Sequence, residues 1–129
     1  MPRNKINFDT VRKIGLELSG VEEGTMYGSP ALKVRGKLLT CLAIHKSAEP
    51  DSLAVRIDFD QRSELIAADP DVYYLTDHYV NYPVVLVRLS RINPDALRDL
   101  LGMAWRFVTA KTPGRKPTVR KQRDSARKR

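Results

Sequence analysis

The sequence predicts an α+β fold, a two-layer sandwich in which helices cover an antiparallel sheet. Apolar residues recur every three or four positions near both ends of the first 110 residues, and short alternating or apolar runs lie between them. These patterns predict the order α-β-β-β-α-β-β-α, followed by a disordered basic C-terminal tail. We therefore assign residues 1–110 to one α+β domain and residues 111–129 to the tail.

The first predicted helix is amphipathic. Charged residues separate its apolar positions, which have helical spacing and are Phe8, Val11, Ile14, Leu18 and Val21. Asn7 or Asp9 could cap its start, and Gly20 suits the left-handed residue that follows many helices.

Three strands are predicted after this helix. Residues 31–35 alternate apolar and basic side chains, Gly36 interrupts them, and residues 37–45 continue as a second strand. Two strands around a short glycine-containing turn predict a hairpin. Residues 52–59 alternate in the same way and predict the third strand.

The second half of the domain contains one short helix, two strands and one long helix. Asp60 is predicted to cap the short helix, which Pro70 stops. Residues 72–75 and 84–89 are predicted strands. Asn93 followed by proline is typical of a helix start, and the helix then has an apolar stripe made of Leu97, Leu100, Leu101, Ala104, Trp105 and Val108.

The charge of the chain is concentrated at one end. Residues 1–110 contain 14 basic and 14 acidic side chains, whereas residues 111–129 contain nine basic and one acidic. A neutral domain therefore carries a tail of net charge +8. Few apolar residues and a high net charge predict that this tail is disordered when free.

Several classes of protein are not expected. The longest strictly apolar run, residues 84–87, is far shorter than the ~20 residues of a membrane span. No apolar stretch follows the first residues, so no signal peptide is predicted, and the single cysteine, Cys41, fits a reducing compartment. We expect a cytoplasmic protein.

The sequence also gives no sign of catalysis. Cys41, His45 and His78 lack zinc-type spacing, and no glycine-rich phosphate loop occurs, so neither a metal nor a cofactor is expected. Cys41 lies in an apolar strand, where burial makes a thiol inert. Acidic pairs such as Asp58 and Asp60 are best explained as caps and solvated loop charges. We predict that the protein is not an enzyme.

Several local strings match one protein family. They are Phe8-x-x-Val11-Arg12, Leu18–Glu23, Val34–Lys37, Leu65–Ile66 with Asp69–Pro70, Tyr82–Val87 and the helix with Trp105. Together they resemble the MmcQ/YjbR-like family of small bacterial proteins. The resemblance implies a fold similar to that of type III secretion chaperones. It also implies DNA binding through a double wing made of two hairpins.

Two groups of basic residues are candidates for nucleic-acid contact. Lys33, Arg35 and Lys37 surround Gly36, so we expect their side chains to emerge together near a hairpin tip, where they would either contact phosphates or protect a strand edge. The second group is the tail, with Lys111, Arg115, Lys116, Arg120, Lys121, Arg123, Arg127, Lys128 and Arg129. A flexible polycation gains free energy on DNA by releasing condensed counterions. An RNA or anionic-lipid contact and a purely solubilising role are the alternatives for the tail.

Four tyrosines occur within ten residues, at positions 73, 74, 79 and 82. Tyr79 and Tyr82 are candidates for a recognition surface for bases or a peptide. The alternative is that these tyrosines are half-buried strand and turn residues.

These observations predict a non-enzymatic, largely sequence-tolerant DNA-binding protein that associates with the nucleoid. The body would dock through the basic hairpin, and the tail would contact phosphates. The alternative is a protein-interaction adaptor with a surface like that of a secretion chaperone. RNA and a protein partner thus remain alternatives to DNA, and the sequence does not indicate the oligomeric state.

Overall fold

The computed structural model describes residues 6–110, which form three helices and a six-stranded antiparallel sheet. The elements are α1 (Phe8–Leu16), β1 (Val21–Met26), β2 (Ser29–Val34), β3 (Lys37–Leu42), β4 (Ser52–Arg56), α2 (Phe59–Ala68), β5 (Tyr73–Tyr74), β6 (Val84–Arg88) and α3 (Pro94–Thr109). The α+β class and the predicted order of elements are confirmed. The structure adds one strand, β1, before the predicted hairpin.

The strand order in the sheet is β1-β2-β3-β4-β6-β5. Strands β1 to β4 are sequential neighbours, whereas β6 inserts between β4 and β5. Val87 of β6 is paired with Leu53 of β4 on one side and with Tyr73 of β5 on the other. β6 is therefore a central strand, which explains why its residues 84–87 are all apolar and buried.

The main core lies between one face of the sheet and the helices. Leu32, Leu53 and Val85 project from this face and are fully buried. The stripe predicted for α3 packs against them, and Leu97, Leu100, Leu101, Ala104 and Val108 are all buried. No helix within residues 6–110 is long and apolar enough to cross a bilayer.

Side-chain caps begin all three helices. Asn93 accepts a hydrogen bond from the Ala96 amide at 2.8 Å, as predicted. Of the two candidates for α1, Asn7 is the cap and accepts from the Thr10 amide at 3.2 Å, whereas Asp9 lies in the first turn. The prediction of Asp60 as the cap of α2 is wrong. Because β4 ends at Arg56, the extended residue before the helix is Asp58, whose Oδ1 accepts from the Gln61 amide at 2.7 Å.

The other face of the sheet, which we call the open face, has a smaller core. Ala31, Cys41, Ala54 and Leu86 form it, and Tyr74 and Tyr79 pack against it. The connections at residues 43–51 and 75–83 supply its cover in place of a helix. A sheet face lined by small residues and bordered by loops leaves room for a cavity.

Candidate functional site

The predicted basic hairpin forms around a two-residue turn. Arg35 and Gly36 both have positive φ, 54° and 77°, as a type I′ turn requires. Val34 and Lys37 are the last paired residues before the turn. Arg35 and Lys37 are exposed, whereas Lys33 is only half-exposed.

The structure does not bring all three basic side chains to one face. Lys33 lies opposite Leu38, on the open face, whereas Lys37 lies opposite Val34, whose side chain is in the main core. Lys33 and Lys37 therefore point to opposite faces of the sheet. Arg35 and Lys37 remain together at the tip.

The three cations also differ in their neighbours. Lys33 is the cross-strand partner of Glu22, and its side chain runs beside Gly24 of β1. None of the three cations forms an ion pair with a carboxylate of residues 6–110, and only Lys33 has an acidic cross-strand neighbour to offset its charge. The net positive charge of the hairpin is thus concentrated at Arg35 and Lys37.

The C-terminal end of α3 lies at the same end of the sheet as this turn. Trp105 donates a hydrogen bond from its indole nitrogen to the Ser19 carbonyl at 2.8 Å. Ser19 leads into β1, whose first residue, Val21, is paired with Val34 beside the turn. The last turns of α3 therefore lie at the end of the sheet that carries Arg35 and Lys37.

The nine basic tail residues proposed for nucleic-acid contact lie outside the described residues. They are Lys111, Arg115, Lys116, Arg120, Lys121, Arg123, Arg127, Lys128 and Arg129. Their contribution remains a prediction from charge.

A cavity of about 870 Å³ lies on the open face, and we call it the open-face cavity. Leu38, Cys41 and Ala54 line it from β3 and β4, and Arg56 and Val84 line it at the end of the sheet. Met26 and Tyr27 contribute from the turn between β1 and β2. The side chains contributed by the strands are thus mainly apolar.

Two loops form the walls of the open-face cavity. Residues 43–51 contribute His45 and residues 75–83 contribute His78, and the two imidazole rings stack with centroids 3.5 Å apart. Tyr79 meets the His78 ring edge-on at 4.8 Å. The Ser47 and Thr76 hydroxyls share a hydrogen bond of 2.8 Å that joins the same two loops.

Arg88 anchors the first of these loops from outside the cavity. It makes a bidentate contact with Glu49, with nitrogen–oxygen distances of 2.9 and 2.7 Å. Its guanidinium also lies 4.2 Å from the centroid of the Tyr74 ring, and the Tyr74 hydroxyl accepts a bond from the Glu49 amide. This arrangement fixes Glu49 relative to β5 and β6.

Arg62 anchors the second loop. Its guanidinium is almost fully buried and donates to the carbonyls of Tyr82 at 2.8 Å and Val84 at 3.4 Å. The cation also lies 4.7 Å from the centroid of the Phe59 ring. Helix α2 therefore fixes the backbone that presents Tyr82 to the cavity.

The four tyrosines have different environments. Tyr73 is buried and Tyr74 is half-buried, as expected of strand residues, and Tyr79 packs against the small core of the open face. Only Tyr82 is largely exposed, at 57%. Tyr79 and Tyr82, the two residues proposed for recognition, both line the cavity. Of these two, only Tyr82 has a ring that is largely exposed.

Burial changes the pKa of two groups that line the cavity. It raises the pKa of the Cys41 thiol, in agreement with the prediction of an inert core cysteine. Desolvation, and then the neighbouring charges of His78 and Lys46, lower the pKa of His45. Within residues 6–110 no three histidine, cysteine or carboxylate side chains are arranged to hold a metal ion.

Sequence reasoning missed the main members of the open-face cavity. His45, His78 and Arg56 come from three separate segments, and only the pairing of β4 with β6 and the two loops bring them together. The available signal was the number of aromatic and histidine residues in positions 75–83. The sequence-based prediction used the tyrosines of this segment and did not include His78.

Part of the chain is similar to curated proteins of two mycobacteria. Uncharacterized proteins of Mycobacterium tuberculosis and Mycobacterium bovis are 43% identical to it over 56 residues. The match covers 43% of this chain and 43% of each relative, so the chain spans less than half the length of these curated relatives.

A solved structure has the same fold. The Deinococcus radiodurans protein DR2400, described as a DUF419 domain, superposes with a TM-score of 0.67 and 21% identity, covering 86% of this chain and 84% of that chain. The YjbR family model matches residues 16–107, which is most of the described domain. The resemblance drawn from the local strings is therefore confirmed, and the chain belongs to the YjbR family.

Proposed function

We propose that this chain is a non-enzymatic, largely sequence-tolerant DNA-binding protein associated with the nucleoid. The observation that carries the proposal is the position of the charge. The nine basic residues after Ala110 follow a helix whose last turns lie at the same end of the sheet as the exposed cations of the hairpin tip, Arg35 and Lys37.

The tail supplies most of the affinity in this proposal. Duplex DNA carries one negative charge per ~1.7 Å of its axis, and neutralising its phosphates releases counterions. About eight tail contacts would give a log–log salt slope near −7. The tail has no aromatic residue, so its binding would depend on charge rather than on base stacking.

The folded domain supplies position rather than strength. It has no net charge over residues 1–110, so it neither attracts nor repels DNA as a whole. Arg35 and Lys37 project at the hairpin tip, at the end of the sheet where the last turns of α3 lie, and would contact a phosphate while the tail follows the DNA backbone. Lys33, opposite Glu22, contributes little.

The test compares the full chain with a chain in which the nine tail lysines and arginines are replaced by glutamine. Fluorescence anisotropy with a short labelled duplex, repeated at several salt concentrations, gives the affinity and its salt slope. We expect the neutral tail to lose most of the affinity and most of the slope. Equal binding by both chains at every salt concentration contradicts the proposal.

The adaptor remains the second candidate because Tyr82 and the neighbouring Tyr27 and Ile44 are exposed apolar side chains. Exposed tyrosine rings are typical of protein-interaction surfaces. Tyr82→Ala separates the two functions, since it should leave duplex affinity unchanged and remove partner binding. Lys13→Gln, on the exposed side of α1, is the matched control for a change of one surface residue.

A further inference from the structure

We infer that the open-face cavity binds a small aromatic organic anion, a planar ring that carries a carboxylate. The inference does not rest on the proposed DNA binding. It comes from the size, the lining and the charge of the cavity.

The size is that of a small-molecule site. The cavity measures about 870 Å³, within the roughly 300–1,000 Å³ that such sites enclose. Its walls are held in place, since Arg88 fixes the loop of His45 and Arg62 fixes the loop of Tyr82. A cavity with anchored walls is largely formed before a ligand enters.

The lining favours an aromatic body. Leu38, Cys41 and Ala54 provide an apolar surface on the sheet. Tyr27 and Tyr82 border the cavity with 87% and 57% of their surfaces exposed, so both rings are free to contact a ligand. Stacked and edge-on contacts between rings add to the gain from burying apolar surface.

The charge favours an anion. Among the described residues, the side chains that line the cavity include Lys46, Arg56 and the two histidines, but no aspartate or glutamate. A cationic ligand would find no counter-charge there, whereas a carboxylate would find two cations.

Arg56 is the expected anchor for the carboxylate. It lines the cavity and forms no ion pair within residues 6–110. Its Nε is shielded from solvent and its Cζ lies 5.7 Å from the centroid of the Phe107 ring, so a carboxylate in the cavity would meet the terminal nitrogens of the guanidinium. A carboxylate beside the guanidinium would supply an anionic partner, which no carboxylate of residues 6–110 supplies. The planar fork of arginine matches the two oxygens of a carboxylate.

The experiment titrates the full chain with 1-naphthoate while backbone amide resonances are recorded by NMR. The probe has about 13 non-hydrogen atoms, for which a typical ligand efficiency gives a Kd of about 1 mM. We expect saturable shifts at residues of β3, β4 and the two loops. 1-Naphthamide, which has the same shape without the charge, should bind at least about tenfold more weakly.

Two variants and one control test the assignment of residues. Arg56→Gln and Tyr82→Ala should each weaken naphthoate binding several-fold, whereas Lys13→Gln, on the helix side, should not. The amide spectrum of each variant shows whether it is folded. If Arg56→Gln does not fold, the comparison of naphthoate with naphthamide on the unaltered chain tests the charge preference.

Three results would overturn the inference. The first is the absence of saturable shifts at about 5 mM naphthoate, well above the expected Kd. The second is equal affinity for the acid and the amide. The third comes from a competition titration. It is the displacement of naphthoate by a short DNA duplex or an acidic peptide that shifts the same cavity resonances.

Discussion

The imidazole rings of His45 and His78 lie face to face, with centroids 3.5 Å apart and planes inclined by only 8°. They belong to different loops, so the stack is a tertiary contact between the two walls of the open-face cavity. Such a contact is favourable when both rings are neutral and unfavourable when both carry a proton. The join between the loops should therefore depend on pH.

We expect His45 to titrate below its ordinary pKa of 6.5, because desolvation and the charges of His78 and Lys46 all oppose its protonation. The unfolded chain then binds more protons than the folded one in this window. The contribution of neutral His45 to the free energy of unfolding is therefore fully present above about pH 6.5, and it decreases as the pH falls through the lowered pKa. NMR titration of the His45 ring measures its pKa directly.

The variant His78→Gln provides the test, since it removes the stacked ring and its charge together and leaves the His45 side chain itself unaltered. The His45 pKa should move back toward its ordinary value. An unchanged titration curve would mean that the stack has no electrostatic effect on His45.

A second prediction concerns the contact between α1 and β2. Gly15 is buried, and a Cβ at this position would overlap Cδ1 of the fully buried Leu32. Alanine gains about 1 kcal/mol in helix propensity, but overpacking a core costs about 1–3 kcal/mol. We expect Gly15→Ala to lower the free energy of unfolding, measured by urea denaturation.

Gly102 of α3 is the matched control. The nearest atom to its Cβ would be Nη1 of Arg106, at an ordinary distance of 3.6 Å, so Gly102→Ala should stabilise by up to about 1 kcal/mol. Leu32→Val removes the overlapping methyl group. If the pair Gly15→Ala and Leu32→Val shows additive losses, the steric explanation is wrong.

The sequence was sufficient to predict the three helices because their signals are local, but it extended the first helix to Val21, which begins β1, and placed the cap of α2 at Asp60 instead of Asp58. Asn7 and Asn93 cap the helices as predicted, and the apolar stripe of α3 is buried. β1 was missed because Val21 is its only buried residue, and Glu22 follows it, so no apolar alternation marks the strand. Its stability comes from pairing with β2.

The candidate site was harder to predict because it depends on register. Counting by two placed Lys33 and Lys37 on one side, but the turn makes Leu38, not Lys37, the partner of Lys33. The same limit applied to His45 and His78, whose approach depends on how two loops cross the open face. Neither relationship is encoded in local spacing.

Arg88 provides a third prediction, because it joins the loop of residues 43–51 to β6. In addition to Glu49, it contacts the carbonyls of Pro70 and Asp71 at 3.1 Å each. We expect Arg88→Met to destabilise by about 1–2 kcal/mol, given the partial exposure of these hydrogen bonds. Thermal unfolding measures the loss.

Arg91, an exposed neighbour that makes no hydrogen bond through its side chain within residues 6–110, is the control position. Arg91→Met should lower the Tm much less than Arg88→Met, because Arg91 acts on Glu49 only through its charge. The hydrogen bond from Arg88 also lowers the pKa of Glu49, so this contribution is present above the ordinary pKa of 4.5 and is lost as the pH falls. Equal Tm values for both variants at neutral pH would contradict a role for Arg88.

The last prediction separates the three basic residues of the hairpin in DNA binding. Arg35→Gln and Lys37→Gln should each lower duplex affinity and reduce the magnitude of the salt slope by about one, because each would remove one phosphate contact. Lys33→Gln should have little effect, since Glu22 already lies opposite Lys33. Glutamine at position 35 keeps the same positive φ and adds no new backbone strain. Anisotropy titrations of the full chain at several salt concentrations decide the question. If Lys33→Gln weakens binding as much as the other two, the tip does not contact DNA as proposed, and the open-face side of the hairpin becomes the candidate surface.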